Sequence, residues 1–200
     1  MKPTIGIFLR NDKNKSYLKS EIMEAVILMG GFPVAIYCSH LITDEIINNC
    51  AGFIFPGGDD FTECDISFID KLSKLNKPVL GICLGMQTMA AYFNGYLEYI
   101  KDENHLSGNS YVHSVKINKN SKLYQIIGET NINVNSRHKY FVKDTNIFVS
   151  ALSEDNLIEA VELSNHKFFI GVQWHPESII KDDINSQKLF SYFIKCCGGD

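Results

Sequence analysis

The sequence predicts an α/β fold: an open, mostly parallel, twisted sheet with helices on both faces and antiparallel additions in the C-terminal half. Three observations predict it. Through about residue 95, short β-rich runs alternate with longer helical ones, the pattern of a parallel sheet covered by helices. Beyond that point strands are separated by polar, turn-like segments, which suits antiparallel pairing. The length of 200 residues, with 45% hydrophobic and 21% charged side chains, fits one domain over 1–200 with ample chain for a core.

The strands expected in the first half are Thr4–Leu9, Pro33–Tyr37, Gly52–Phe55 and Pro78–Ile82, each a short run rich in β-branched or aromatic residues. Leu18–Met29 carries Leu18, Ile22, Ala25, Val26 and Met29 at helical spacing, and Gly30-Gly31 stops it. Thr43–Asn49 and Ile66–Leu75 repeat the helical pattern more weakly, and Leu84–Phe93 follows the fourth strand. Crossovers between parallel strands are right-handed, so these units wind into an open sheet whose ligand site lies at the strands' C-terminal ends. In the second half the expected strands are Tyr111–Ile117, Ile147–Leu152, Leu157–Leu163 and Phe168–Gln173, with a closing helix over Ile184–Lys195. Asp102–Ser110 is polar and bears Gly, Ser and Asn, which marks a flexible loop, and Gly198-Gly199-Asp200 reads as a frayed end.

Composition excludes several classes of function. Nineteen Lys+Arg stand against twenty-three Asp+Glu, a formal charge of -4 with no basic block, so a nucleic-acid partner is not expected. The N-terminus enters a strand-like run at once, without the features of a secretory signal, and a cytoplasmic protein is expected. The most apolar window, Ala25–Cys38, is interrupted by Gly30-Gly31 and Pro33 and falls short of the roughly 20 residues a membrane span needs. The six cysteines form no C-x-x-C pair, so five of them read as structural or incidental thiols. The histidines show neither H-x-x-x-H nor H-x-H, so no metal and no cofactor is expected.

The sixth cysteine differs in its setting. Pro78-Val79-Leu80-Gly81-Ile82-Cys83-Leu84-Gly85-Met86-Gln87 is a buried-type strand running straight into a helix, with Cys83 at the junction. A nucleophile there sits in a tight turn with its side chain free, and Gly81 and Gly85 let strand and helix approach without a clash. The helix N-terminus favours the thiolate, the form that attacks. In Gly171-Val172-Gln173-Trp174-His175-Pro176-Glu177, Pro176 holds His175 extended, and the strand period of two then puts the His175 and Glu177 side chains on one side. That is a base with a carboxylate to orient it. In Phe53-Ile54-Phe55-Pro56-Gly57-Gly58-Asp59-Asp60 a strand ends in a bare turn whose N–H groups can face a developing negative charge, though the same residues read equally as a plain Pro-Gly-Gly loop. Val134-Asn135-Ser136-Arg137-His138-Lys139-Tyr140 concentrates donors in a short loop, either for the amino-acid end of a substrate or for solvent.

PGG, GICLGMQ and GVQWHPE, in this order at the ends of three strands, resemble the class I glutamine amidotransferase family over essentially the whole chain. The resemblance implies a flavodoxin-like sheet and a Cys-His-Glu triad that cleaves a γ-glutamyl amide through a thioester, with Cys83 the nucleophile, His175 the general acid/base and Glu177 its orienter. It further implies an oxyanion hole from the Gly58 and Leu84 N–H groups, with Gly57 and Gln87 beside the glutamyl group. Relatives of the fold without this chemistry, the chaperones and proteases, usually carry His directly after the cysteine, where Leu84 stands here. The segment VNSRHKYFV resembles the V-N-S-x-H motif of the γ-glutamyl hydrolase (peptidase C26-like) branch. That implies Ser136, Arg137 and His138 near the glutamate α-amino and α-carboxylate groups, with backbone contacts from Lys139 and Tyr140. Compact members similar to this chain remove glutamate from a γ-glutamyl nucleotide phosphoramidate such as γ-glutamyl-CDP-amidate in capsule-sugar modification. A diphosphate would then need loop cations such as Arg10, Lys13, Lys15 or Arg137, although the loop after the first strand also reads as simply solvated. The alternatives are a glutaminase subunit supplying ammonia to a separate synthase, which uses the same triad, and a non-catalytic binding module on the same fold.

Overall fold

The structure is a computed structural model and describes residues 1–12, 15–39, 44–100 and 111–199. The expected loop Asp102–Ser110, Lys13, the start of the Thr43 helix and the terminal Asp200 lie outside the described residues. In chain order the elements are β1 (Thr4–Phe8), β2 (Arg10–Asp12), β3 (Lys15–Tyr17), α1 (Ser20–Leu28), β4 (Phe32–Ile36), α2 (Asp44–Asn49), β5 (Gly52–Phe55), α3 (Glu63–Lys74), β6 (Val79–Ile82) and α4 (Leu84–Tyr92). They continue as β7 (Tyr96–Tyr99), β8 (His113–Ile117), α5 (Lys122–Ile127), β9 (Asn131–Val134), β10 (Tyr140–Asp144), β11 (Phe148–Ser153), β12 (Ile158–Glu162), β13 (Phe169–Val172), α6 (Pro176–Ile179) and α7 (Ile184–Cys196).

The main sheet runs β4-β1-β5-β6-β13-β12-β11-β8-β9, with β10 joined to β12 and β7. The five strands from β4 to β13 are parallel and the rest pair antiparallel. This is the expected mixed sheet with one correction. The sequence groups the last strand with the antiparallel additions, yet β13 pairs parallel with β6 in the register Phe169↔Val79 to Val172↔Ile82. All four of its residues are buried, as a strand covered on both faces requires.

The period of two sorts the strand side chains between two cores. Ile5, Ile7, Ile54, Leu80, Ile82, Ile170 and Val172 pack with α1, α5 and α7. Phe8, Phe53, Phe55, Val79 and Phe169 pack with α2, α3 and α4 on the other face. Gly81 and Gly171 fall on this second face, where an added Cβ would lie 2.8 Å from the Gly85 carbonyl carbon and 2.8 Å from Met86 Cγ respectively. Helix α4 therefore settles unusually close to the sheet.

Several elements escape a reading of the sequence because each is short and most bury little. The β2–β3 hairpin, β7 and β10 are short and present mainly polar or exposed residues, while β9 alternates exposed and buried residues over only four positions. Helix α5 has six residues; Ser121 accepts from Tyr124 N–H at its start, and the Glu162 carboxylate accepts from the Lys122 and Leu123 N–H groups at 2.7 and 3.1 Å. Helix α3 begins earlier than Ile66 because Thr62 and Asp65 form a capping box. All six cysteines are free thiols, and among the described residues no helix is long and apolar enough to cross a membrane.

Replacing Gly85 by alanine is expected to destabilise the protein by about 1–3 kcal/mol, because the new Cβ would stand 2.0 Å from the Phe55 carbonyl oxygen. A lower urea midpoint at unchanged slope is the expected reading; an unchanged midpoint would show that α4 can retreat freely.

Candidate active site

Strands β5, β6 and β13 are neighbours, so the segments that follow them meet at one rim of the sheet. Cys83 occupies the junction between β6 and α4 with φ 52 and ψ −104, a left-handed backbone that non-glycine residues seldom adopt. Its N–H donates to Val172 O at 2.8 Å, which ties the turn to β13. Cys83 is 7% exposed, His175 5% and Glu177 3%, so the three share a nearly dry pocket.

His175 Nδ1 lies 2.7 Å from Glu177 Oε1, which leaves the other ring nitrogen for the Cys83 sulfur, within hydrogen-bond reach. The pair forms by a different route from the one the sequence suggests. His175 has φ −113 and ψ 77, short of the extended region expected for it, and Pro176 opens the short helix α6, so Glu177 stands in a first helical turn rather than two residues along a strand. Proline at the first helical position is compatible with both halves of that description. Burial by itself would lower the histidine's proton affinity. The Glu177 carboxylate and the Cys83 sulfur outweigh it and raise the imidazole to about 9.

The Pro-Gly-Gly turn closes over these groups. A Cβ on Gly57 would meet His175 Cε1 at 2.8 Å and Cys83 Cβ at 3.5 Å, while one on Gly58 would meet Arg10 Cδ and Leu84 Cδ2, each at 3.1 Å. Gly58 and Leu84 thus come together, and Leu84 N–H belongs to the first turn of α4, where amides have no partner within the helix. Gln87 is buried; its amide nitrogen donates to Tyr140 O at 3.0 Å and to Gln173 Oε1 at 3.1 Å.

The VNSRH segment is divided in its allegiance. Arg137 donates to Ser178 Oγ. Ser136 is fully buried, and His138 turns inward, with Nδ1 3.0 Å from Tyr140 O and Nε2 3.7 Å from Glu159. The Lys139 carbonyl accepts from Ile100 N–H. The carbonyls of Lys139 and Tyr140, on a backbone expected to meet a substrate, therefore already bind other parts of the protein. Arg10, expected among the diphosphate cations, is also committed. It is 4% exposed, its Nε and Nη2 donate to Pro56 O at 3.0 and 2.8 Å, and its Nη1 pairs with Asp65 Oδ1 at 2.7 Å.

Three contributions to the site are not evident from sequence. Arg10 clamps the carbonyl that precedes Gly57. Asn135 grips the His175 backbone from both sides, accepting from its N–H and donating to its carbonyl, each at 2.8 Å. Gln173 Nε2 lies 3.5 Å from Cys83 Sγ and links the sulfur to Gln87. Asn135 and Gln173 stand inside the motifs quoted above, but only the folded chain reveals their partners.

Several known proteins are similar to this chain. The family model for peptidase C26 matches residues 6–177. A glutamine amidotransferase of Schizosaccharomyces pombe is 34% identical over 86% of this chain and 79% of its own length. The γ-glutamyl-γ-aminobutyrate hydrolase PuuD of Escherichia coli is 26% identical over 98% of this chain and 93% of its own. Among solved structures, a glutamine amidotransferase from Thermotoga maritima superposes with a TM-score of 0.71 at 12% identity, covering 100% of this chain and 100% of that one, a likeness of fold.

A raised histidine pKa means that the imidazolium, and its pairing with Glu177, persists until the pH climbs through about 9. An NMR titration should find His175 there, and Glu177→Gln should move the midpoint clearly downward by removing the carboxylate. A midpoint unchanged in Glu177→Gln would contradict the assigned cause.

Proposed function

This chain belongs to the peptidase C26 family of class I glutamine amidotransferase-like proteins, and on that premise we propose that it hydrolyses the γ-glutamyl amide C–N bond of a small molecule, releasing glutamate by way of a cysteinyl thioester. The observation that carries the reading is the buried line from Cys83 through His175 to Glu177 beside the glycine turn. Cys83 Sγ attacks the γ-carbonyl carbon as thiolate, and the oxygen takes up the negative charge between the Gly58 and Leu84 N–H groups. His175 gives its proton to the departing nitrogen as the C–N bond breaks. Water then attacks the thioester and passes a proton to His175, and the glutamate leaves with the thiolate restored. Arg10 and Asn135 act as positioning residues, one for the turn and one for the histidine.

For the substrate we propose a γ-glutamyl nucleotide phosphoramidate such as γ-glutamyl-CDP-amidate. The hydrolase-type VNSRH segment supports a γ-glutamyl substrate. With Arg10 held by Pro56 and Asp65, Lys15 and Arg137 are the described cations left from the expected set to meet a diphosphate. PuuD, by its name, acts on γ-glutamyl-γ-aminobutyrate, so a γ-glutamyl amine is the comparison substrate.

The test is a panel of glutamine, γ-glutamyl-γ-aminobutyrate, a γ-glutamyl peptide and γ-glutamyl-CDP-amidate, with released glutamate measured for the isolated chain. The phosphoramidate is expected to turn over fastest, and Cys83→Ala to abolish turnover of every member. Preference for the γ-glutamyl amine would overturn the nucleotide assignment alone. Cleavage of free glutamine only would overturn the hydrolase reading in favour of an ammonia-supplying glutaminase. Arg10→Ala is expected to lower kcat by about 10–100-fold with KM nearly unchanged, since it displaces oxyanion donors rather than removing substrate contacts.

A further inference from the structure

His113, His138 and Glu159 have no role in the reaction above, yet they converge in the interior. His113 opens β8, His138 lies between β9 and β10, and Glu159 is in β12. Glu159 is 1% exposed and His138 3%, while the His113 side chain is 14% exposed. Glu159 Oε1 stands 3.7 Å from His138 Nε2 and 3.8 Å from His113 Nε2, and the three ligand atoms lie within 4.8 Å of one another.

The separations are too long for direct hydrogen bonds, and both Glu159 oxygens are buried without a hydrogen-bond partner. The ring orientations make the cluster informative. His113 Nδ1 is 3.3 Å from Ser114 O and His138 Nδ1 is 3.0 Å from Tyr140 O. A carbonyl oxygen only accepts, so each Nδ1 donates there, and each ring turns its Nε2 toward the Glu159 carboxylate. The buried Glu159 carboxylate, with neither oxygen hydrogen-bonded, favours a cation at the point where these side chains converge.

We propose that His113, His138 and Glu159 form a binding site for one divalent transition-metal ion, Zn2+ by ligand type. Two imidazole nitrogens and a carboxylate are an established zinc donor set, and binding through both Glu159 oxygens supplies a fourth donor. Zinc bonds of about 2.0–2.2 Å place neighbouring donors roughly 3.3–3.6 Å apart, so the gaps to Glu159 need to close by only a few tenths of an ångström. The Nδ1 contacts to backbone carbonyls are the outer interactions that orient metal-bound imidazoles. An ion here would tie β8 and β12 to the loop that carries Asn135, and through Asn135 to the backbone of His175.

The test uses the full chain, purified without a metal-affinity tag, equilibrated with Zn2+, passed through gel filtration and assayed for metal by mass spectrometry. The same chain is titrated with Co2+ and followed by visible absorption. One zinc per chain is expected, with cobalt bands of nitrogen and oxygen ligation and no intense sulfur charge-transfer band. His138→Ala and Glu159→Gln should each lose the ion, and Cys83→Ser should keep it. A wild-type chain that retains no metal, a sulfur-dominated cobalt spectrum, or retention by His138→Ala would overturn the proposal. Should the variants not fold, the wild-type zinc content and cobalt spectrum still decide it.

Discussion

How closely α4 can approach the sheet governs the rest of the site. Ordinary side chains at Gly81, Gly85 and Gly171 would hold the helix away, because each added Cβ would fall between 2.0 and 2.8 Å from an atom already there. Without them the helix N-terminus reaches the rim where β5, β6 and β13 end, and its unpaired amides face the same space as the Cys83 sulfur. The cost appears at Cys83, whose left-handed backbone is worth about 1–3 kcal/mol of strain. The turn bears that strain because its N–H is fixed to Val172 and its flanks are packed on both faces of the sheet.

Around this approach lies a set of buried polar residues that hold reactive groups in place. Asp65 completes the cap of α3 with Thr62 and also receives Arg10, so one carboxylate joins a helix start to the glycine turn. Asn135 fixes the backbone of His175, and Gln87 and Gln173 connect the Tyr140 carbonyl to the sulfur. Each of these residues takes at least one partner far away in sequence. Deleting one partner would strand the other in a dry interior, which is why such networks are stiff.

The sequence is readable where local periodicity and backbone chemistry decide the outcome. The parallel strands and the helices around them fall within a few residues of expectation, because the apolar runs of β1, β5 and β6 and the helical spacing in α1 reflect burial directly. The elbow is legible from its glycines, since their absence of side chains is itself the structural requirement. The small elements are not legible: β7 buries none of its residues fully, β9 alternates over only four positions, and the start of α5 relies on Glu162 from β12 as well as on Ser121. The His175–Glu177 pairing is expected from an extended strand and arises from a helix start. A proline restricts the residue before it, but says little about which way the chain continues after it. His113 and Glu159 give no signal at all, because what distinguishes them is their shared interior position.

The Arg10 fork has a wider consequence. Two of its N–H groups hold the Pro56 carbonyl, so the peptide plane leading into Gly57 is locked although both following residues are glycines, the most pliable in the repertoire. Flexible composition and rigid behaviour therefore coexist in one turn. The entropy lost in immobilising it is settled once, when the chain folds, and is not charged again at each encounter with a ligand.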